Sequence, residues 1–427
     1  MASSGAEGER RHWLAIGLIV SQFFLWGMAN NLNDVLIPHF RKAFTLSDLA
    51  SGLVQSAFYL GYFLVAIPAA LFMQRFGYKG AVIFGLCLYG AGALLFYPAA
   101  DARSYLFFLA ALFVIAAGLA FLETAANPMV AALGPPEDAE RRLNFAQAFN
   151  PLGSIAGVAI GRSFILSGVE RTPEEMAAMS PAALDAWRAQ EAAAVQIPYL
   201  VIGLGVLFWA LLIAATRFPA VATQREAGEG LGRLERFREL LGRPGYLAGV
   251  FAQFCYVGAQ VGIWSFTIRY VQAEMPGTPE RNAANLLIVA LVLFMAGRFV
   301  GTALMRRIAP LRLLAAFGAV NALLCLFATA AGGMAGVAAL TLASFFMSIM
   351  FPTIFAASLR GLGPLTKLGS SLIVMAIIGG AVLTAGMGLL SDLSGTIRVA
   401  MIVPAAAFVV VALFAWNRQP AAQAKPA

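Results

Sequence analysis

Charged residues make up only 12% of the 427 in this chain, against roughly a quarter in soluble domains. That shortage, with 60% hydrophobic residues and a mean hydropathy of +0.80, excludes a soluble globule. Histidine is scarcer still. His12 and His39 are the two present, one at each end of the first apolar run, so neither can relay protons at mid-membrane depth. With no HExxH, no Ser-His pair and no cluster of loop acids, a membrane-embedded enzyme is not expected. The three cysteines, Cys87, Cys255 and Cys325, fall inside apolar runs at unrelated spacings, which predicts no disulfide framework, no metal site and no cofactor. The opening MASSGAEGERRH has no cleavage site, and the run after it is too long for a signal-peptide core, so it is expected to remain as the first helix.

What the chain has is length without polarity. A spanning helix needs roughly 20 mostly apolar residues. Twelve such stretches run over about 14–37, 49–73, 80–99, 105–127, 143–166, 197–218, 246–271, 283–305, 312–331, 334–357, 368–390 and 396–416. They are apolar all round rather than alternating, which favours helices over a membrane barrel. A formal net charge of +8 could suggest nucleic acid, but its distribution argues otherwise. With the N-terminus inside, nineteen of the basic residues fall in cytoplasmic segments and seven in outer loops. Positive charge inside sets orientation, so both termini are expected in the cytoplasm of a bacterial cell with an inner (plasma) membrane around it.

A mixed-charge stretch, ATQREAGEGLGRLERFRELLGRPG, divides the spans six and six. The expected domains are 1–219, a linker over 220–243, and 244–427. A second polar stretch, 168–195, reads as a short surface helix outside. The halves echo one another: PAALFMQRFG closes the second span and VGTALMRRIA the eighth, while Asn127-Pro128 and Phe351-Pro352 are each followed by a Gly-Pro loop. The fold class is therefore an all-α membrane protein of twelve transmembrane helices in two pseudo-symmetric six-helix bundles, the major facilitator fold. After the second span, Gln74-Arg75-Phe76-Gly77-Tyr78-Lys79 resembles that superfamily's gate motif, with Gln74 where an acid is usual. Arg75 and Arg298 are the gating candidates; Arg298, about two turns from the predicted inner end of its span, could instead snorkel to the interface.

Two carboxylates lie well inside apolar runs, Asp34 and Glu123. An ionisable group at such depth is costly and usually faces a cavity, where it moves protons, ions or substrate. Asn30, Asn31 and Asp34 share a helix face; the bland reading is that Asp34 merely reaches the outer interface. Glu123 shares its face with Asn127, and Pro128 leaves the Thr124 carbonyl free; the bland reading is a permanently protonated structural acid. The second half has no acid at comparable depth, so proton coupling is assigned to the first. The second half offers amides and aromatics, Gln253, Gln260, Trp264, Asn285 and Asn321, the mixture that sugar hydroxyls and C–H faces need. In the fifth span, Asn144, Gln147 and Asn150 form a polar stripe that lines a cavity or bonds between helices.

The runs FFLWGMANNLNDVLIPHF, QSAFYLGYF, GLAFLETAANP, RLNFAQAFN, AQFCYVGAQ, AGRFVGT and GSSLIVMAIIGG resemble the fucose–galactose–hexose transporters of the major facilitator superfamily, across all twelve spans. LETAANP resembles the branch of bacterial L-fucose–proton symporters. The resemblance implies Asp34 and Glu123 as proton-coupling carboxylates, with Asn31, Gln147, Asn150 and Trp264 lining the sugar cavity. Asn127, Gln260 and Phe351 complete the substrate-binding set. Met350-Phe351 is a departure, since the fucose branch has a Gln-Tyr pair there. The expected function is proton-driven import of a monosaccharide by alternating access, L-fucose first. Galactose, glucose or N-acetylglucosamine, and sodium-coupled or passive carriage, stay open. Expected partners are the sugar, the proton and the lipid bilayer, with the chain acting as a monomer.

Overall fold

The computed structural model describes residues 17–32, 36, 39, 40, 44, 48–132, 135–165, 173–216, 218, 233–278 and 280–418. Those residues are almost wholly helical, and the helices follow the apolar runs. The first, α1, covers 17–32. An unbroken run Asp48–Asp101 reverses direction at Gly77, where φ is 74°. Only glycine takes that conformation without strain, so the run is two helices, α2 before Gly77 and α3 after it. α4 is Tyr105–Ala132, α5 is built from Ala139–Gln147, Phe149–Ile160 and a π turn Gly161–Ile165, and α6 is Gln196–Ala215. Then come α7 (Pro244–Glu274), α8 (Glu280–Leu304), α9 (Pro310–Ala331), α10 (Gly333–Met347 continued by Met350–Leu359), α11 (Thr366–Met375 continued by Gly379–Ser394) and α12 (Ile402–Asn417). The polar stretch expected as a surface helix carries two, Pro173–Ala178 and Pro181–Ala193, the second capped by Ser180 accepting from the Ala183 N–H at 3.3 Å.

Nine described helices are long and apolar enough to cross a membrane. The difference from twelve has simple causes. α2 and α3 run together through Gly77, α1 is described over 17–32 alone, and α5 is interrupted at Ala148.

The chain forms two compact units, Met1–Ala126 with Leu152–Arg225, and Asn127–Pro151 with Glu226–Ala427. In the first, helices meet where glycine removes a side chain. A Cβ at Gly118 would press on the Tyr89 backbone of α3, and one at Gly90 would meet Leu207 of α6 at 2.6 Å. Gly153 and Gly157 of α5 lie against the backbone of α1 at Phe24 and Met28. Small residues let helices in lipid approach closely enough for dispersion to hold them. Lys79 donates to the carbonyls of Ala214 (2.9 Å) and Thr216 (2.8 Å), closing the open end of α6.

In the second unit α7 lies against α11, with Gly258 facing Leu383 and Gly379 facing the Phe254 carbonyl. Tyrosines tie the helices by their hydroxyls: Tyr246 donates to Gly369 O and Tyr270 to Ala328 O, both at 2.6 Å. Glu274, ending α7, accepts from Arg398 Nε at 2.6 Å and from the Gly333 N–H at 2.7 Å. That ion pair with one hydrogen bond joins three chain segments at one point.

Gly153→Ala should lower the thermal midpoint of the detergent-solubilised protein. The new Cβ would overlap the Phe24 carbonyl, backbone that cannot turn aside, and overpacking costs about 1–3 kcal/mol. Gly205→Ala in α6, with nothing within 4 Å of the added carbon, should hold or raise the midpoint through helix propensity, by up to about 1 kcal/mol. Equal midpoints for the two variants would mean that α1 and α5 do not touch as described.

Candidate substrate and proton site

Glu123 is a buried acid of the first unit, 1% exposed within α4, and neither of its oxygens has a hydrogen-bond partner among the described residues. The buried Tyr62 of α2 lies close enough to feel the carboxylate's charge. Its hydroxyl accepts the Trp26 indole N–H at 2.9 Å. Nothing in the sequence singles out this tyrosine among ten. Asn31 of α1 is half-buried, and its amide donates to Gly27 O at 3.2 Å and to Ser154 Oγ at 2.7 Å. One donor therefore turns back within α1, the other braces α1 on α5, and the amide oxygen remains. Asp34 lies outside the described residues.

The amides of the second unit form a chain. Gln147 Nε2 donates to Asn127 Oδ1 at 2.9 Å, and Arg298 Nη1 donates to the Gln147 backbone oxygen at 3.2 Å and to its Oε1 at 3.3 Å. All three side chains are at most 5% exposed. Arg298 is not snorkelled outward: its guanidinium lies over the Phe294 ring, 5.0 Å from the centroid, and its Nε has no partner among the described residues. Asn144 donates to Thr353 Oγ1 of α10 at 3.0 Å. So two members of the α5 stripe bond between helices, which was the second of its two readings. Asn150 is half-buried.

Further along α7, Gln260 and Trp264 are half-buried one turn apart. The Trp264 indole N–H donates to Ser344 Oγ at 3.1 Å. Phe351 stacks on Phe355 with centroids 6.1 Å apart, and its ring lies 6.3 Å from Tyr256. Buried beside these, the Tyr256 hydroxyl and both amide atoms of Gln253 have no partner among the described residues. Arg75 is exposed, with its guanidinium 5.3 Å from the Phe76 ring centroid and no salt bridge among the described residues.

Two charged residues of the α4–α5 turn escaped the sequence reading. Arg142 donates to Ala131 O at 2.5 Å and Val130 O at 3.4 Å, satisfying carbonyls of the last turn of α4, and to Pro135 O at 2.8 Å just beyond it. Glu140 is fully buried and paired with Arg360, which follows α10. Burial pushes its carboxyl up from the usual carboxylate range, and the Arg360 guanidinium opposes this. In sequence both look like ordinary loop charges, because their partners lie 11 and 220 residues away.

A twelve-helix chain with a buried acid on one helix and amide and aromatic groups on others is built to carry a polar solute. The family model described as "Major Facilitator Superfamily" matches residues 18–376. The chain belongs to the Major Facilitator Superfamily. This facilitator is 47% identical to the L-fucose-proton symporter of Escherichia coli, over 97% of its own length and 95% of that protein's. It is 36% identical to the glucose/galactose transporter of Brucella abortus, over 95% of this chain and 94% of that one. Against the crystal structure of the transporter FucP in the outward conformation the TM-score is 0.87, at 47% identity, covering 95% of this chain and 99% of that chain. These relatives are transporters, and this facilitator is a membrane-spanning transporter, not an enzyme.

Gln147→Leu should lower the thermal midpoint, because it strands the Asn127 oxygen and one Arg298 N–H in the interior, each costing about 1–3 kcal/mol. Gln147→Glu should be milder. It gives Arg298 a carboxylate, and Asn127 can turn its amide to donate. If the leucine variant unfolds at the parent's temperature, the buried chain contributes nothing.

Proposed function

We propose that this facilitator imports a monosaccharide, L-fucose first, in symport with a proton, by alternating access between 1–219 and 244–427 across the linker 220–243. It does so as a monomer in the bacterial inner membrane, with both termini in the cytoplasm. Glu123 carries the reading. A carboxyl held inside a helix bundle with neither oxygen bonded among the described residues is free to exchange a proton when its surroundings change, whereas uncoupled carriage needs no titratable group. Asp34 is its partner in coupling. Asn31, Asn127, Gln147, Asn150 and Gln260 supply hydrogen bonds to sugar hydroxyls, Trp264 and Phe351 apolar surface, and Arg75 and Arg298 act in gating. The 47% relative is named for L-fucose and protons, which supports both halves of the proposal. A second sugar class, glucose or galactose, is favoured by the name of the Brucella abortus relative and by Phe351, which offers no hydroxyl.

The test is sugar addition to unbuffered cells expressing the chain. A symporter alkalinises the medium; a passive carrier does not, and a sodium-coupled one acts only when sodium is present. Asp34→Asn and Glu123→Gln should each abolish accumulation against a gradient. Glu123→Gln, fixed in a proton-loaded form, should still exchange sugar across the membrane, with most of the pH dependence gone. Accumulation at the parent's level in both variants would remove the proton switch.

Met350→Gln combined with Phe351→Tyr should move preference toward L-fucose. Each added hydrogen bond is worth on the order of 1 kcal/mol, so a roughly tenfold relative gain is expected from the pair, read from competition between labelled fucose and galactose. An unchanged sugar profile would place α10 outside the pocket at these positions.

A further inference from the structure

Trp264 is held from two sides by two different helices. Its indole N–H donates to Ser344 Oγ of α10 at 3.1 Å. The Phe294 ring of α8 meets it edge to face, with centroids 5.1 Å apart and planes at 79°. The hydrogen bond fixes which way the indole points about its outer torsion, and the edge-on ring limits its tilt. Such an aromatic pair adds attraction beyond the area it buries. Exposure separates the roles. Ser344 has no exposed surface, while Trp264 stays half-buried one turn from the half-buried Gln260. The indole keeps exposed surface and the serine has none.

The other serine and threonine hydroxyls in these helices mostly bond back to a carbonyl one turn earlier: Thr341 to Val337 at 2.8 Å, Thr267 to Ile263 at 2.8 Å, and Ser358 to Ile354 at 2.7 Å. Ser344 has a different use, as acceptor for a ring on another helix, the arrangement that Ser21 makes with Trp209 in the first unit. An indole has only two side-chain torsions. Fixing both before a ligand arrives removes an ordering cost that binding would otherwise bear.

We propose that Ser344 is the positioning residue of an aromatic platform: it holds the Trp264 indole at the angle at which the C–H face of a monosaccharide ring stacks on it. Ser344 acts through Trp264 and does not touch the sugar. The proposal rests on the sugar-transport reading above and adds the group that sets the platform's orientation.

The full-length protein in proteoliposomes decides it. Initial rates of L-fucose, galactose and glucose uptake are measured for the parent, Ser344→Ala, Ser344→Thr, Trp264→Phe, and Ser344→Ala combined with Trp264→Phe. Loss of one hydrogen bond that orients the platform should raise KM for the transported sugar about fivefold, with Vmax kept, the pattern of lost uniform binding. Ser344→Thr restores an acceptor and should restore the KM. In the Trp264→Phe background Ser344→Ala should add nothing, because phenylalanine has no N–H to hold. Independently of transport, the Trp264 indole N–H resonance in nitrogen-15 spectra, assigned by its loss in Trp264→Phe, should move upfield in Ser344→Ala and return in Ser344→Thr.

An unchanged KM in Ser344→Ala overturns the proposal while leaving sugar transport standing. So does a KM rise that persists in full without Trp264, which would make the serine an independent contact. An indole resonance that ignores Ser344 overturns it as well. A parent that takes up none of the three sugars overturns the transport reading, and the platform with it.

Discussion

Hydrocarbon cannot hydrogen-bond, and the rest of this structure follows from that. Each polar group inside the helices must find a partner in the protein or remain costly. Most do. Threonine and serine hydroxyls turn back on their own helices, and the Tyr246 and Tyr270 hydroxyls reach carbonyls of neighbouring ones at 2.6 Å. Against that background the exceptions stand out. Glu123 on α4, with Gln253 and Tyr256 on α7, is among those buried with polar atoms unbonded among the described residues, as are Gln22 on α1 and Asn321 on α9. A group already bonded must break that bond to serve a solute; a group without one need not. The unsatisfied atoms are therefore the ones best placed to take a proton or a hydroxyl.

Close helix contact is what puts such groups at defined positions. Lipid tails are as apolar as leucine, so helices gain little from hiding apolar faces from one another, and small residues decide where they meet. At the α1–α5 crossing, Gly153 and Gly157 bring α5 against the α1 backbone. Asn31 can then bond Ser154 at 2.7 Å. At the α7–α11 contact, Gly258 and Gly262 seat Leu383 and Met387. α7 is thereby fixed on one side, and Trp264, two residues beyond Gly262, is carried round toward α8 and α10. The glycines have no chemistry of their own, yet the polar geometry depends on them.

The helices were legible in the sequence because length and apolarity suffice to name a span, and Gly77 reads as a turn even where the backbone stays helical on both sides. The site was legible by residue and not by partner. Glu123, Trp264 and Arg298 stand out as polar groups in apolar runs. That Trp264 bonds Ser344, or that Arg298 turns onto Gln147 and Phe294 instead of outward, does not follow from spacing. An amphipathic helix shows its inner face by its apolar stripe. A helix that is apolar all round shows no face, so the neighbour met by each side chain stays hidden until the helices are placed. Glu140 and Arg360 were hidden for another reason, since loop charges are common and a pair 220 residues apart leaves no local trace.

Relatives named for fucose and for glucose or galactose share this chain's length almost end to end. A proton–xylose symporter only 15% identical still superposes with a TM-score of 0.68. The fold is therefore indifferent to which sugar is carried, and discrimination must come from a few polar contacts. In the conformation described here, Gln147 bonds Asn127 and Arg298, and Asn31 bonds Gly27 and Ser154. Under the proposed reading a sugar hydroxyl meeting the bonded atoms of these amides replaces existing bonds rather than filling vacant ones. The net gain per contact is then the small difference between two hydrogen bonds, below the worth of either alone. Atoms still unbonded, on Gln253 and Tyr256, offer a hydroxyl the larger gain. Neighbouring Phe351 has no polar side-chain atom to contribute, so under the same reading selectivity there depends on whether a hydroxyl can reach α7 past an apolar ring.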